Sequence, residues 1–402
     1  MKRIGNLYQN ICSFENLWYA AYAAQRGKRY RPDVLAFHYD LEAELFQLRR
    51  ELQEKRYQPG RYRTFHIYDP KKRLISAAPY RDRIVHHALC YIIEPIFDRT
   101  FIFDSYANRI GKGTHKALDR CTEFSRRYRY VLKCDVEKYF PSIDHRILMS
   151  LAARKIKCPE TLWLIERIVA NSNPQEEIVR YFPGDTLFTP CERRHGIPIG
   201  NLTSQFMANV YLNGLDHFIA EDVRPGGYVR FADDFLVFSD DRDMLHALLP
   251  RIQAHVDGLR LRLQPRKCQV MPVRCGIPFL GWQMFPDHRR LRRATGVRFQ
   301  RRLAELREDY AEGKIELDRV KMSVMSWIGH LKHGETRGLR RKLLAAAPFS
   351  RPASPPSEKI AHKSAVRAPK PRPLRSTPRP RGLTGEAWAA WAGKFTSPGG
   401  GA

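Results

Sequence analysis

The chain has 402 residues, 43% of them hydrophobic, which suffices for a large folded body of one to three domains. Its 70 Lys and Arg outnumber 42 Asp and Glu, giving a formal net charge of +28. A folded chain this basic calls for a polyanion or an anionic surface. No apolar run reaches the roughly 18–20 residues of a membrane span, and residues 1–14 hold no apolar signal segment. The expectation is a cytoplasmic protein that binds nucleic acid and no membrane.

Residues 14–57 read as two helices, and residues 1–60 as an N-terminal helical region. The second helix is expected from Asp33 to about Arg56, with Leu35, Leu41, Leu45, Leu48 and Leu52 near helical spacing and Gln58-Pro59-Gly60 as its stop. Residues 62–68 alternate as a strand. Asp69-Pro70-Lys71-Lys72 reads as a turn, and Arg73-Leu74-Ile75 begins the return strand. Residues 82–97 read as a helix. Residues 129–135 form a short apolar strand ending in Asp135, and a helix starts near Pro141-Ser142-Ile143-Asp144 with Ser142 or Asp144 as its cap. Residues 203–221 are helical. Tyr228–Phe231 and Phe235–Phe238 form a hairpin around Ala232-Asp233-Asp234. Another helix covers 243–257, two short strands flank Phe279-Leu280-Gly281-Trp282, and residues 297–345 are basic and mostly helical. Residues 348–402 hold ten of the 27 prolines and ten Lys or Arg against two acids, which predicts an extended basic tail. The fold class is α+β.

The eight cysteines form no CxxC pair, so no zinc or thioredoxin-like motif is present and buried thiols in a reducing compartment are expected. His86, His87 and His115 have no acid or Cys at ligand spacing and read as core or nucleic-acid-facing. The carboxylates carry more information. Asp135 ends an apolar strand, and Asp233 and Asp234 sit between two more. Acids in apolar surroundings are costly unless paired or metal-bound, and three that converge raise one another's pKa. Mg²⁺ relieves that penalty and suits carboxylate and phosphate oxygens. Two such ions about 3.5–4 Å apart fit phosphoryl transfer.

In order along the chain, residues 61–285 resemble the fingers and palm of a reverse transcriptase. Tyr62 to Leu89 resembles the first motif, and Phe103–Arg109 with Gly111–His115 the second. Leu132–Phe140 is similar to motif A, Gly196–Asn209 to motif B, Tyr228–Asp234 to motif C, Leu261–Lys267 to motif D and Phe279–Trp282 to the primer grip. The resemblance implies a right-hand polymerase: fingers and an antiparallel palm over 61–290, a helical thumb over 291–347, and the basic Pro-rich tail beyond. It implies that Asp135 and Asp233 bridge two Mg²⁺ (or Mn²⁺), with Asp234 assisting and the Val136 carbonyl completing coordination. Phe140 stands where an aromatic ring excludes a 2′-hydroxyl, so dNTPs are preferred. Lys72, Arg73 and Arg83 are candidates for the triphosphate clamp, and Lys267 for the general acid toward pyrophosphate. Gly200 and Gln205 line the nucleotide in motif B, where Gly200 lets the backbone approach closely. Gly281 and Trp282 hold the primer end.

The stretch Ile199-Gly200-Asn201-Leu202-Thr203-Ser204-Gln205 resembles diversity-generating retroelement enzymes, which copy a template RNA into error-prone cDNA. Ile199 replaces a commoner Gln. Losing that polar contact weakens discrimination by about 1–3 kcal/mol. Template RNA, a DNA or RNA primer, dNTPs and a small basic accessory protein are the implied partners, in a bacterial or phage-encoded setting. No RNase H or endonuclease region is expected after Trp282. The alternatives are a retron-like, group II intron-derived or defence-associated reverse transcriptase, or a non-catalytic RNA-binding scaffold.

Overall fold

The computed structural model describes residues 3–68, 72–173, 178–345 and 349–350. Four helices open the chain: Tyr8–Ile11, Phe14–Ala24, Pro32–Tyr39 and Leu41–Gln53. Ser13 caps the second by accepting the Asn16 amide at 3.2 Å. The long helix expected over 33–56 is two. Asp40 leaves helical geometry (φ −126°, ψ 51°), and its carbonyl restarts the next helix by accepting Glu44 N. That helix also ends before Pro59, because Lys55 adopts a left-handed backbone, φ 56°.

β1 (Arg63–Ile67) and β2 (Arg73–Ala77) form an antiparallel hairpin, Arg63 opposite Ala77 and Ile67 opposite Arg73. Of the turn expected at 69–72, only Lys72 is among the described residues. The helix Tyr80–Asp98 follows and buries Ile84, Val85, Ala88, Leu89 and Ile93. Its Asp82 accepts from Tyr57 Oη and Gly60 N, each at 2.8 Å, and so ties down the incoming linker.

The central sheet holds β3 (Tyr130–Asp135), β4 (Gly227–Phe231), β5 (Asp234–Ser239) and β6 (Gln269–Pro272) in the order β4-β5-β3-β6, every pair antiparallel. Successive side chains alternate between its faces. Leu132, Cys134, Phe235 and Val237 join the larger core, shared with helices His145–Ala153, Pro159–Ala170, Leu202–His217 and Arg242–Gly258. Val131, Val229, Leu236 and Phe238 join a second core, with helix Thr114–Arg127. With both faces covered, the strands read as continuous apolar runs. Asp144 is the cap of the 145–153 helix, accepting Ile147 N at 3.1 Å.

A smaller sheet, β7 (Ile277–Phe279), β8 (Trp282–Met284) and β9 (Arg289–Leu291), packs into the second core. Leu280 (φ 46°) and Gly281 (φ 88°) make its two-residue turn, with positive φ at both positions matching the strand twist. Helices Arg293–Ala311, Leu317–Leu331 and Arg337–Ala345 complete the described chain, with Phe299 stacked on Trp327 at 3.5 Å. Phe349 packs beside this group, and residues 351–402 of the Pro-rich segment lie outside the described residues. No helix among the described residues is long and apolar enough to cross a membrane. Of the cysteines, Cys12, Cys90, Cys121, Cys134 and Cys158 are buried thiols, but Cys191, in the short helix Thr189–Glu192, and Cys275, at the end of the 3₁₀ turn Val273–Cys275, are exposed outside the cores.

Candidate active site

The β3 register places Asp135 directly opposite Asp234, so both carboxyls leave the same sheet face. Between β4 and β5 the turn is Ala232-Asp233. Ala232 is held at φ 56°, a strained position for a residue with a Cβ. Val136 N donates to the Asp233 carbonyl at 3.1 Å and locks the turn to the end of β3. Burial raises the Asp233 pKa above the usual carboxylate value, and Asp135 adds to it, while Lys267 and Arg73 pull it down.

Each of the other two carboxyls has a lysine. Lys267 ends a short 3₁₀ turn (Pro265–Lys267) and donates to Asp135 Oδ1 at 2.7 Å. Lys133, two residues before Asp135 and on the same face, donates to both oxygens of Asp234 at 2.6 and 2.8 Å. Burial still pushes Asp234 up to about 6 in spite of that lysine. The Lys133 side chain is only 10% exposed. Sequence reasoning missed it, although a lysine inside an apolar strand is costly without a partner. Lys133→Met is therefore expected to lower unfolding stability by about 2 kcal/mol, the scale of hydrogen bonds to a charged group. Lys133→Met with Asp234→Leu is expected to recover most of that loss in denaturant titration.

The motif B loop is pinned to both sides of this site. Ile197 N donates to Phe140 O at 3.0 Å, and Gly196 N to Ile143 O at 2.8 Å. Ser76 N of β2 donates to Ile199 O at 3.1 Å. Asn201, buried and also missed, donates Nδ2 to Ser76 O at 3.0 Å and accepts Ala78 N at 3.3 Å. Phe140 is half-buried against the larger core. Gly200 has φ 112°, and a Cβ there would meet Ile75 at 3.0 Å, so its close neighbour is the β2 side chain. Gln205 is half-buried in the first turn of the 202–217 helix.

Not every expected residue gathers here. Arg73 acts on Asp233, and Lys72 beside it is exposed. Arg83 does neither: its Nε is bonded to Ala78 O and it lines a separate cleft with Arg31, Arg61 and Arg63. Helix Tyr80–Asp98 carries it to the side of β2 facing the N-terminal helices. Trp282 is fully buried, its ring 5.2 Å from His330 and against Gly334, so it supports the Gly281 turn instead of presenting a surface to a strand end. Burial pushes His86 down to about 3 and His87 to about 4, as neutral histidines packed in the body.

The donor set fits hard divalent cations: two carboxylates, Asp135 and Asp233, at one strand end, with the backbone oxygen of Val136 between them in sequence. Among the described residues no group of three or more His, Cys, Asp or Glu is gathered for an ion. An ion held by two carboxylates needs phosphate oxygens to complete its shell, which is the usual Mg²⁺ arrangement with nucleotides.

Residues 68–284, more than half of the chain, match the family model described as reverse transcriptase (RNA-dependent DNA polymerase). The chain belongs to the reverse transcriptase family. Among its relatives is Protein YkfC of Escherichia coli, 26% identical over 61% of this chain and 72% of that protein. The group II intron-encoded protein LtrA of Lactococcus lactis is 25% identical over 45% of this chain but 29% of its own length. A Pol polyprotein from the type-1 retrotransposable element R2 of Nasonia vitripennis is 29% identical over 36% of this chain and 14% of its own length. This reverse transcriptase is an RNA-directed DNA polymerase by family, and its polar partners are a nucleic-acid template and primer.

Proposed function

We propose that this reverse transcriptase makes error-prone cDNA from an RNA template by two-metal nucleotidyl transfer at Asp135 and Asp233, as diversity-generating retroelement enzymes do. The observation that carries the chemistry is the convergence of Asp135 and Asp233 at one sheet end, with Lys267 donating to Asp135 at 2.7 Å and the charge of Arg73 lowering the Asp233 pKa. We assign β1, β2 and the 80–98 helix to the fingers, the four-stranded sheet to the palm, and the helices after Leu291 to the thumb.

Asp135, Asp233 and the Val136 carbonyl would hold two Mg²⁺ (or Mn²⁺) ions, which would supply Lewis acidity toward a 3′-hydroxyl and the leaving phosphate oxygen. Asp234 is committed to Lys133 and steadies the turn. Arg73, with Lys72, neutralises triphosphate charge. Lys267 leaves Asp135 to give a proton to the departing pyrophosphate oxygen. The Phe140 ring forms the wall under the sugar that a 2′-hydroxyl would strike. Ile199 spends its carbonyl on β2 and offers the nucleotide only an apolar side chain, which supports relaxed discrimination.

A second reading is a group II intron-type enzyme, favoured by the intron-encoded relatives. Sequencing the cDNA made from a mixed-sequence RNA with Mg²⁺ and four dNTPs separates the two. Errors concentrated opposite adenine, and reduced in Ile199→Gln, are expected. Accurate product would select the intron-type reading, and no product with the native template and an accessory protein would sink both.

A further inference from the structure

The N-terminal helices carry a continuous row of aromatic rings on one face. Phe14, Trp18 and Tyr22 stand four apart on helix Phe14–Ala24 and so lie one above the other. Phe46 of helix Leu41–Gln53 stacks on Phe14 at 4.8 Å. Phe14 lies 5.9 Å from Trp18, Trp18 5.4 Å from Tyr22, and Tyr22 5.9 Å from His38. The body does not cover this row: Phe46 is 46% exposed, Tyr22 44%, and Tyr19, next to Trp18 in sequence, 54%. Large rings left side by side in water mark a contact surface.

The charge of this face is opposite to that of the chain as a whole. Residues 32–48 hold Asp33, Asp40, Glu42 and Glu44 and no Lys or Arg, in a chain of net charge +28. Asp33 is bonded to Arg31. Asp40 and Glu42 are exposed, with Glu42 one turn before Phe46, and Glu15 is exposed one turn before Tyr19. Carboxylates among the rings repel phosphates, so nucleic acid does not suit this face, whereas a basic peptide with aromatic anchors does.

The chain contains such a peptide outside the described residues. Residues 367–381 hold six Lys or Arg and no acid. Trp388, Trp391 and Phe395 follow at i, i+3 and i+7, the anchor spacing of a helix laid against an apolar face. At 1.5 Å per residue, Trp388 to Phe395 would span about 10 Å and Phe14 to Tyr22 spans about 12 Å. Residues 351–382 supply the tether. At about 3.1 Å per residue they reach about 100 Å, whereas a folded body of about 350 residues has a radius of gyration of about 20 Å. The tether thus reaches every face of the body and holds the segment at an effective concentration on the order of millimolar.

We propose that residues 383–395 dock on this aromatic face, with Trp388, Trp391 and Phe395 against Phe46, Trp18 and Tyr22 and the preceding basic residues facing Asp40, Glu42 and Glu15. The contact is independent of the proposed chemistry. In the full chain, Trp391 is replaced by the photo-crosslinker benzoylphenylalanine, and the linked peptides are mapped in a mixture of isotopically light and heavy chains. The expected product joins position 391 to residues 14–46 of the same chain. Trp388→Ser, which leaves the folded body untouched, and Phe46→Gln are each expected to cut that product about tenfold or more, the scale of losing one anchoring aromatic. Asp40→Lys/Glu42→Lys is expected to cut it about two- to fivefold. Unchanged thermal unfolding shows that the body variants remain folded. Links between light and heavy chains at this face would assign it to the tail of a second copy and overturn the intramolecular contact. Links scattered over the body, or links to 14–46 that survive both Trp388→Ser and Phe46→Gln, would overturn the site. So would the absence of any link, which would leave the face to a separate protein.

Discussion

Asp233→Asn is expected to lower cDNA synthesis by about 10³-fold or more, the scale of removing an electrostatic group aimed at the transition state, while leaving the protein folded. The two halves of that result have separate causes. On the proposed mechanism catalysis would fail because Asp135 and Asp233 together would hold the ions, and one of those two carboxylates is gone. Stability does not fall because the native site disfavours the charge: burial and Asp135 raise the Asp233 pKa above its unfolded value. A group with a raised folded pKa contributes stability below its unfolded pKa, and that contribution is lost as pH rises through the folded one. At pH 7 the ionised Asp233 is therefore a liability that the asparagine lacks. Metal-free thermal unfolding at pH 7 should show the variant at least as stable as wild type, with the difference closing only below about pH 3, where Asp is protonated in both states. A variant that unfolds earlier at pH 7 would show that Asp233 is a structural residue. Wild-type rates in a well-folded variant would remove it from the chemistry.

The apolar strands around Asp135 and Asp233 were legible because both sheet faces are covered, so period and burial agree along each strand. The order of motifs around them pointed to the family, and residues 68–284 match it. Other features stayed hidden for identifiable reasons. Lys133 and Asn201 act across the fold, and their partners, Asp234 and Ser76, lie about 100 or more positions away. Helices Thr114–Arg127 and Pro159–Ala170 fell between motifs and were not read at all. The Asp40 break was masked by leucines that keep helical spacing on both sides of it. Arg83 looked like a clamp residue from its neighbourhood in sequence. A helix sends its side chain toward the N-terminal helices, and only the packing of those helices reveals that.

Arg230 bears on how the Ala232-Asp233 turn is held. It lies in β4 with no exposed surface, inside the motif C stretch Tyr228–Asp234. Its Nε and Nη2 each donate to Asp216 at 2.6 Å, and Tyr228 Oη donates to the same carboxylate at 2.8 Å. Its Nη1 reaches Asn209 Oδ1 at 3.2 Å and the Ala232 carbonyl at 3.0 Å. The last bond matters most, because Ala232 is the strained residue of the turn and nothing in its side chain favours φ 56°. Removing one partner of a fully buried pair strands the other, so Arg230→Met or Asp216→Leu alone is expected to destabilise by about 3–5 kcal/mol in denaturant unfolding. The double variant leaves no unpaired charge and should recover most of that loss. Activity should not recover with it. Without Nη1 on the Ala232 carbonyl, the turn keeps only the Val136–Asp233 bond, and Asp233 is held less firmly beside Asp135. A double variant as stable as wild type but slower by about 10²-fold, the lower end for losing a positioned group, would separate the two duties of Arg230. Full activity in a stable double variant would show instead that the Val136–Asp233 bond suffices to hold the turn.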